Sequence, residues 1–142
     1  MMRHLLLPLL MAAFPAAPSM HAEESLVVIV NPTCGVTQMT KEEAMDIFMG
    51  RQKRLPCGLL ALPVEENTAR ARFYQLLVNL PLPQVRAYWA RLYFSGQAQP
   101  PRQTDSPEET LEVVSANKSA IGFVEASRVD RRVRAVLLLD TK

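Results

Sequence analysis

Apolar residues along the chain fall into short runs that alternate with amphipathic segments, and the two patterns predict strands and helices. Residues 25–30 (SLVVIV) form an almost continuous apolar and β-branched run that stops at Asn31, which predicts a strand buried on both faces. Further strands are predicted over residues 59–64, 120–124 and 133–139.

The segments between these runs have the spacing of helices. Thr40 is the predicted N-cap of the first helix, because Glu43 follows at the position that completes a capping box, and this helix ends near Gly50. Three more helices are predicted, from Asn67 or Thr68 to Leu80, after Pro83, and over residues 108–116. Residues 95–107, rich in Gly, Gln and Pro, are predicted to form an extended loop.

Strands that alternate with helices predict an α/β fold, with a mixed or mainly parallel sheet flanked by helices. A positive charge, Arg3, precedes an apolar stretch over residues 5–14, and small residues and prolines follow it. This order is that of a secretory signal peptide, since the stretch is too short to span a bilayer. We expect residues 1–22 to be removed, although cuts after Ala17 or Ser19 also fit. Residues 23–142 then form one domain, periplasmic or secreted, with no direct insertion into the membrane.

Charge and composition exclude several classes of function. The chain has 16 basic and 14 acidic residues, and removal of residues 1–22 takes away Arg3 and both histidines. The near balance that is left lacks the basic excess of a nucleic-acid-binding protein. Without histidine a hydrolytic triad lacks its usual base, and five scattered glycines do not form a phosphate loop. We therefore predict a non-enzymatic protein without catalytic residues, cofactor or metal site.

The two cysteines, Cys34 and Cys57, both lie in the part of the chain expected to be exported. In an oxidising compartment the first interpretation of such a pair is a disulfide, which would stabilise the fold by roughly 3 kcal/mol in the chain-entropy model. Two free thiols, or a catalytic or metal-binding role, are the alternatives.

One position in the predicted fold could bind an anion. Glu65 and Glu66 end a strand, and Asn67, Thr68 and Arg70 begin the next helix, where backbone N–H groups and the helix dipole attract negative charge. Asn67, Thr68 and Arg70 are therefore the candidate ligand-binding residues. The alternative is an ordinary capped helix, because two carboxylates at the same place repel an anion.

Other conspicuous side chains have structural interpretations. Basic residues in two loops are predicted to be solvated surface, and four aromatic residues at helical spacing are predicted to pack in the core. The basic residues are Arg51, Lys53, Arg54, Arg128, Arg131, Arg132 and Arg134, and the aromatic residues are Tyr88, Trp89, Tyr93 and Phe94.

Five short segments together resemble the periplasmic phosphate-binding protein of phosphate ABC transporters, in its short form. The more specific segments are residues 46–50 (DIFMG) and 119–125 (SAIGFVE); the others are residues 62–64 (LPV), 73–74 (FY) and 88–89 (YW). The resemblance implies a type II periplasmic-binding-protein fold, but only about one lobe of it, since full-length relatives enclose the ligand between two.

The sequence departs from this family at the residues that bind the ligand. The resemblance implies an arginine and a Ser-Gly-Thr turn in this lobe. Here the arginine position falls on or near Glu65, and residues 67–69 (NTA) replace the turn, followed by Arg70, which matches a basic residue often found there. A charge-assisted contact contributes about 1.5–3 kcal/mol, so glutamate in place of arginine turns attraction into repulsion.

Two functions follow from the resemblance and its departure. The first is a substrate-binding-like protein of the periplasm that captures phosphate or another small anion at the helix start and has a membrane transporter as partner. The second is an interaction or sensory module of the cell envelope that has lost phosphate binding and docks on an envelope sensor protein or assembly. An exposed apolar face where a second lobe would pack is the expected mark of the second.

Overall fold

The computed structural model describes residues 12–13, 15 and 24–140. The predicted signal segment, residues 1–22, therefore lies outside the described residues except at residues 12–13 and 15. The strands are β1 (Leu26–Val30), β2 (Leu62–Glu66), β3 (Arg102–Thr104), β4 (Ala120–Glu125) and β5 (Arg134–Leu139). The helices are α1 (Lys41–Phe48), α2 (Arg70–Val78), α3 (Leu82–Phe94) and α4 (Pro107–Ala116), with short 3-10 turns at Pro32–Cys34 and Ala126–Arg128.

The strands form one mixed sheet in the order β3-β2-β4-β1-β5. β2 runs parallel to β3 and β4, whereas β1 runs antiparallel to β4 and β5. Helices cover both faces, so the predicted α/β class with a mixed sheet is confirmed. Because β2 and β3 are parallel, their carboxyl ends meet at the same edge of the sheet.

Two apolar clusters cover the two faces of the sheet. In β1 the side chains of Leu26, Val28 and Val30 join the cluster beneath α1, α2 and α3, while Val27 and Ile29 join the one beneath α4. All five residues are buried, which confirms the prediction of a strand buried on both faces. The larger cluster is centred on aromatic rings, with Phe73 of α2 stacked on Phe123 of β4 at a centroid distance of 3.8 Å.

The start of α1 follows the sequence prediction. The Thr40 hydroxyl accepts a hydrogen bond from the Glu43 backbone N–H at 3.1 Å, and the Glu43 carboxylate accepts one from the Thr40 backbone N–H at 3.2 Å. This reciprocal capping box satisfies two donors that the helix itself leaves unpaired. Ala44, Ile47 and Phe48 lie on the buried face, as their spacing predicts.

Several predicted boundaries are wrong. α3 begins at Leu82 and not after Pro83, because proline is tolerated in the first turn of a helix. The second strand lies over Leu62–Glu66 and not over residues 59–64, because residue 60 forms an isolated bridge with Arg54 before the chain joins the sheet. α2 begins at Arg70, and its N-cap is Ala69 without a side-chain cap, so neither Asn67 nor Thr68 is the cap. The predicted loop over residues 95–107 contains the short strand β3 and includes the first residue of α4.

A disulfide joins Cys34 to Cys57, with a Cα–Cα distance of 6.0 Å. It ties the turn that follows β1 to the loop that precedes β2, and this confirms the first interpretation of the two cysteines. Among the described residues no helix has both the length and the apolar character needed to cross a bilayer.

Candidate functional site

The candidate site lies at the carboxyl ends of β2 and β3, where α2 begins. Glu65 and Glu66 are the last two residues of β2, and they pair in register with Gln103 and Thr104 of β3. Successive side chains of a strand point to opposite faces. Val64 packs in the cluster beneath α4, so Glu66 shares that face while Glu65 faces α2 and α3.

Glu66 binds the chain that leads into α2, although only 2% of the residue is exposed. Its carboxylate accepts hydrogen bonds from the backbone N–H groups of Thr68 at 2.9 Å and Ala69 at 3.0 Å. The Thr68 hydroxyl lies 2.7 Å from one carboxylate oxygen and 2.6 Å from the other. An internal anion thus occupies the donors just before the helix, a place where a capping side chain or a bound anion is usually found.

Glu65 is held by three donors from three directions. The hydroxyl of Tyr74 donates to one carboxylate oxygen at 2.7 Å, and the other oxygen accepts from Arg70 at 3.4 Å and from the Gln103 amide at 3.3 Å. Tyr74 is completely buried. Burial first, and the adjacent Glu65 carboxylate second, raise the pKa of Tyr74 above its ordinary value, so the hydroxyl keeps its proton and donates.

Asn67 completes the arrangement. Its side-chain amide donates to Asp105 at 2.8 Å, and its backbone N–H donates to the Thr104 carbonyl at 2.9 Å. The Asn67 Oδ1 atom is buried and has no partner among the described residues. An orphan acceptor of this kind calls for a donor or a cation and not for an anion.

The three candidate ligand-binding residues therefore lie together, and each donates to a carboxylate of the protein itself. Asn67 donates to Asp105, Thr68 to Glu66 and Arg70 to Glu65. The sequence placed the two glutamates near these residues but gave no indication of the pairing. Gln103 and Asp105 were missed because they come from a distant part of the chain. Tyr74, one helical turn after Arg70, was missed because nothing in the local sequence marks its hydroxyl as a donor to Glu65.

An open groove of about 410 Å³ lies beside Glu65. One wall is the face of α3 that carries Val85, Trp89 and Tyr93, spaced four residues apart and so on one side of the helix. Pro100 and Pro101, which precede β3, form another part of the wall. We call this feature the α3 groove.

The aromatic residues of α3 divide into two pairs, which corrects the prediction that all four pack in the core. Trp89 is 8% exposed and the Tyr88 hydroxyl donates to the Met49 carbonyl at 2.7 Å, so these two are packed. Tyr93 and Phe94 are 58% and 84% exposed. The last turn of α3 thus presents its aromatic rings to solvent. Trp89 Nε1 is buried without a hydrogen-bond partner in the described part of the chain.

The basic residues lie at or near the surface, but one of them has a structural role. Arg132 donates to Asp130 and to Glu108 of α4, and these bonds lower the pKa values of both carboxyl groups. Arg132 therefore attaches the loop before β5 to the start of α4. This role differs from the prediction that Arg132 is solvated surface. Within residues 12–13, 15 and 24–140, no cluster of three or more His, Cys, Asp or Glu residues is arranged to hold a metal ion.

Comparisons with known proteins show a similarity of fold. No protein-family model and no curated protein matches the chain. An ABC-type phosphate transport receptor from Vibrio cholerae has a TM-score of 0.61 and 19% identity, over 80% of this chain and 45% of that one. A putative phosphate ABC transporter substrate-binding protein from Clostridium perfringens, solved with bound phosphate, has a TM-score of 0.63 and 19% identity, over 80% and 44%.

A possible phosphate binding protein from Planctomyces limnophilus is more distant, with a TM-score of 0.52, 14% identity, and coverage of 80% of this chain and 40% of that one. The chain thus spans less than half the length of each of these three proteins. At such low identity the likeness concerns the fold and does not extend to the ligand. The protein has the fold of a type II periplasmic-binding-protein lobe, with a mixed five-stranded sheet between helices.

Proposed function

We propose that the protein is a single-lobe, binding-protein-like module of the cell envelope that works by docking to another protein, and that it does not capture phosphate at the start of α2. The observation that carries the proposal is the pairing of Asn67, Thr68 and Arg70 with the protein's own carboxylates. These are the side chains through which an anion would have been bound.

The energetics oppose phosphate at this position. A phosphate ion would have to displace Glu66 from two backbone N–H groups and a hydroxyl. Each hydrogen bond to a charged group contributes about 1.5–3 kcal/mol, and the displaced carboxylate would stay close to the arriving anion in a poorly hydrated place. Glu65 and Asp105 add two further negative charges. Binding of phosphate, the ligand named for the structural neighbours, is therefore unfavourable at this site.

Two observations support a location outside the cytoplasm. The disulfide between Cys34 and Cys57 is typical of proteins in oxidising compartments. The predicted signal segment at residues 1–22 leads to the same compartment. The structural neighbours are named as transport receptors and binding proteins, which supports a role without catalysis.

The docking role is supported by the surface that α3 leaves open. Exposed aromatic rings such as Tyr93 and Phe94 are common where proteins bind other proteins.

Calorimetric titration of the processed, oxidised protein with phosphate tests the proposal. We expect no heat of binding up to millimolar phosphate, at low and at physiological salt. The rival function is phosphate capture by Asn67, Thr68 and Arg70, which the likeness of fold supports. Saturable binding at micromolar phosphate, lost in the Asn67→Asp/Arg70→Ala double variant, would establish the rival and overturn our proposal.

A further inference from the structure

The α3 groove continues into two neighbouring hollows. One, of about 590 Å³, is lined by Lys53, Tyr93 and Phe94 together with residues 96–99. The other, of about 260 Å³, shares Trp89 with the groove and is bordered by Leu60, which is 62% exposed. Exposed apolar side chains and concave surface therefore form one continuous face, which we call the α3 face.

The charges of the α3 face that lack an ion-pair partner among the described residues are positive. Glu65 is the acidic residue in the lining of the α3 groove, and it is 7% exposed and paired with Arg70. Arg86 also lines the groove, is exposed, and has no ion pair or hydrogen bond to residues 24–140. Lys53 lies at the neighbouring hollow, where its ammonium group donates to the Gln97 carbonyl and has no carboxylate partner among residues 24–140. The face is apolar and cationic.

The exposed Arg86 guanidinium in the lining of the α3 groove has no hydrogen bond or ion pair to residues 24–140. An unpaired cation beside an apolar groove favours a group that arrives with acceptor atoms and a negative charge. A carboxylate supplies such atoms, and its charge complements Arg86 and Lys53.

We infer that the α3 face docks a segment of a partner protein that carries carboxylate and large apolar side chains. This inference rests on the docking role proposed above and names the chemistry of the partner. The apolar side chains fill the groove between Trp89, Tyr93 and the Pro100–Pro101 wall, and the carboxylates face Arg86 and Lys53. Trp, Tyr and Arg are also the residues that dominate the energetics of protein interfaces.

Other occupants fit the face less well. An anionic membrane would satisfy the charges, but a membrane surface does not enter concave pockets, and three adjoin here. A second copy that presented the same face would bring two surfaces with unpaired positive charge together, and like charges in contact oppose association. A segment of another protein satisfies the shape and the charge together.

Peptide selection tests the inference without knowledge of the partner. The processed protein is immobilised and probed with a displayed library of random 12-residue peptides, with counter-selection on the Phe94→Ser/Arg86→Glu variant. Both positions are exposed, so this variant is expected to fold normally. We expect the enriched peptides to combine Asp or Glu with Leu, Phe or Tyr. Enrichment of basic peptides would overturn the inference. So would the absence of any peptide that binds the wild type more strongly than the variant.

Trp89 provides a direct measure of binding at the groove, because it is the protein's one tryptophan. An enriched peptide without tryptophan should change the Trp89 fluorescence saturably, and Arg86→Glu should weaken its binding about tenfold or more. Leu138→Ser is a control, since Leu138 is 58% exposed and lies on β5 at the opposite edge of the sheet. Equal weakening by the control variant would contradict the groove as the site.

The remaining outcomes separate this inference from the proposed function. A change of Trp89 fluorescence with phosphatidylglycerol vesicles but with no peptide would assign the face to membranes. Concentration-dependent dimers in sedimentation that Phe94→Ser abolishes would assign it to a second copy. Phosphate binding by calorimetry would overturn the proposed function even if acidic peptides bind the groove. Absence of both phosphate and peptide binding would overturn the inference alone.

Discussion

The start of α2 and the end of α3 lie near the same edge of the sheet, but they differ in whether the protein itself covers or pairs their side chains. At the start of α2 the donors of Asn67, Thr68 and Arg70 bind carboxylates of the same chain. On α3, the rings of Tyr93 and Phe94 contact each other but are 58% and 84% exposed, and the Arg86 guanidinium has no ion pair with residues 24–140. The donors at the predicted ligand-binding position are occupied by the protein itself, and two aromatic residues that were predicted to lie in the core are exposed.

The difference shows that one fold can pair the polar groups of one region internally and leave aromatic groups of a neighbouring region exposed. Polar groups at the start of α2 are too costly to leave buried without partners, so carboxylates satisfy them. An exposed aromatic ring costs much less in folding free energy, and it contributes to binding when a partner covers it. The predictions below test this contrast, from the largest expected effect to the smallest.

Removal of the Glu66 carboxylate should have the largest effect on stability. Glu66→Ala leaves the N–H groups of Thr68 and Ala69 without their acceptor in a buried place, and we expect a loss of about 3–5 kcal/mol in the free energy of unfolding. Urea unfolding measures the loss. Glu112→Ala on the exposed side of α4 is the control and should change stability by about 0.5 kcal/mol or less. Similar losses in both variants would show that Glu66 is not a structural anion.

An added methyl group at Gly50 should displace the Trp89 ring from its place in the wall of the groove. Gly50 has a φ of +74°, and a Cβ there would come within 2.7 Å of the Trp89 ring. We expect Gly50→Ala to destabilise by about 2–3 kcal/mol, from backbone strain and overpacking together, and to shift the Trp89 emission.

Gly35→Ala separates the two causes, because Gly35 has a φ of +79° with open space around its Cβ position. It should cost about 1 kcal/mol and leave the Trp89 emission unchanged. If the two variants behave alike, Trp89 is not held against Gly50.

Loss of one hydroxyl should have different effects in the two regions. Tyr74→Phe removes the donor that lies 2.7 Å from Glu65, and a hydrogen bond to a buried charge contributes about 1.5–3 kcal/mol. Tyr93→Phe removes the same atom from an exposed ring and should change the free energy of unfolding by about 0.5 kcal/mol or less. Denaturant unfolding of the pair measures the contrast, and equal effects would contradict it.

The raised pKa of Tyr74 predicts a loss of stability in alkali. Folding keeps the Tyr74 proton at a pH where the unfolded chain, with an ordinary tyrosine pKa near 10, has released it. The unfolded state then binds fewer protons, so stability is complete below pH 10 and falls by about 1.4 kcal/mol per pH unit above it. Unfolding midpoints between pH 9 and 11 should show a steeper fall in the wild type than in Tyr74→Phe. Parallel slopes would mean that Tyr74 titrates normally in the folded protein.

Much of the fold could be predicted because its determinants are local. The capping box of Thr40 and Glu43 lies within four residues, and the apolar run of β1 shows its burial without reference to any other segment. The apolar pattern predicts the second strand at residues 59–64, before its actual position at Leu62–Glu66, because Glu65 and Glu66 are more polar than the usual interior of a buried strand. Their carboxylates are tolerated there through bonds to Tyr74, Thr68 and other donors, which no local pattern reveals.

The sequence by itself determined the class of fold, the burial of the first strand on both faces and the residues gathered at the start of α2. Only the tertiary structure decided that those residues are paired with carboxylates and that Tyr93 and Phe94 are exposed. Hydrophobic periodicity indicates which side of an element avoids water, and that is a local property. Which polar group meets which partner depends on contacts such as Asn67 with Asp105, 38 residues apart, and the sheet must form before these contacts exist.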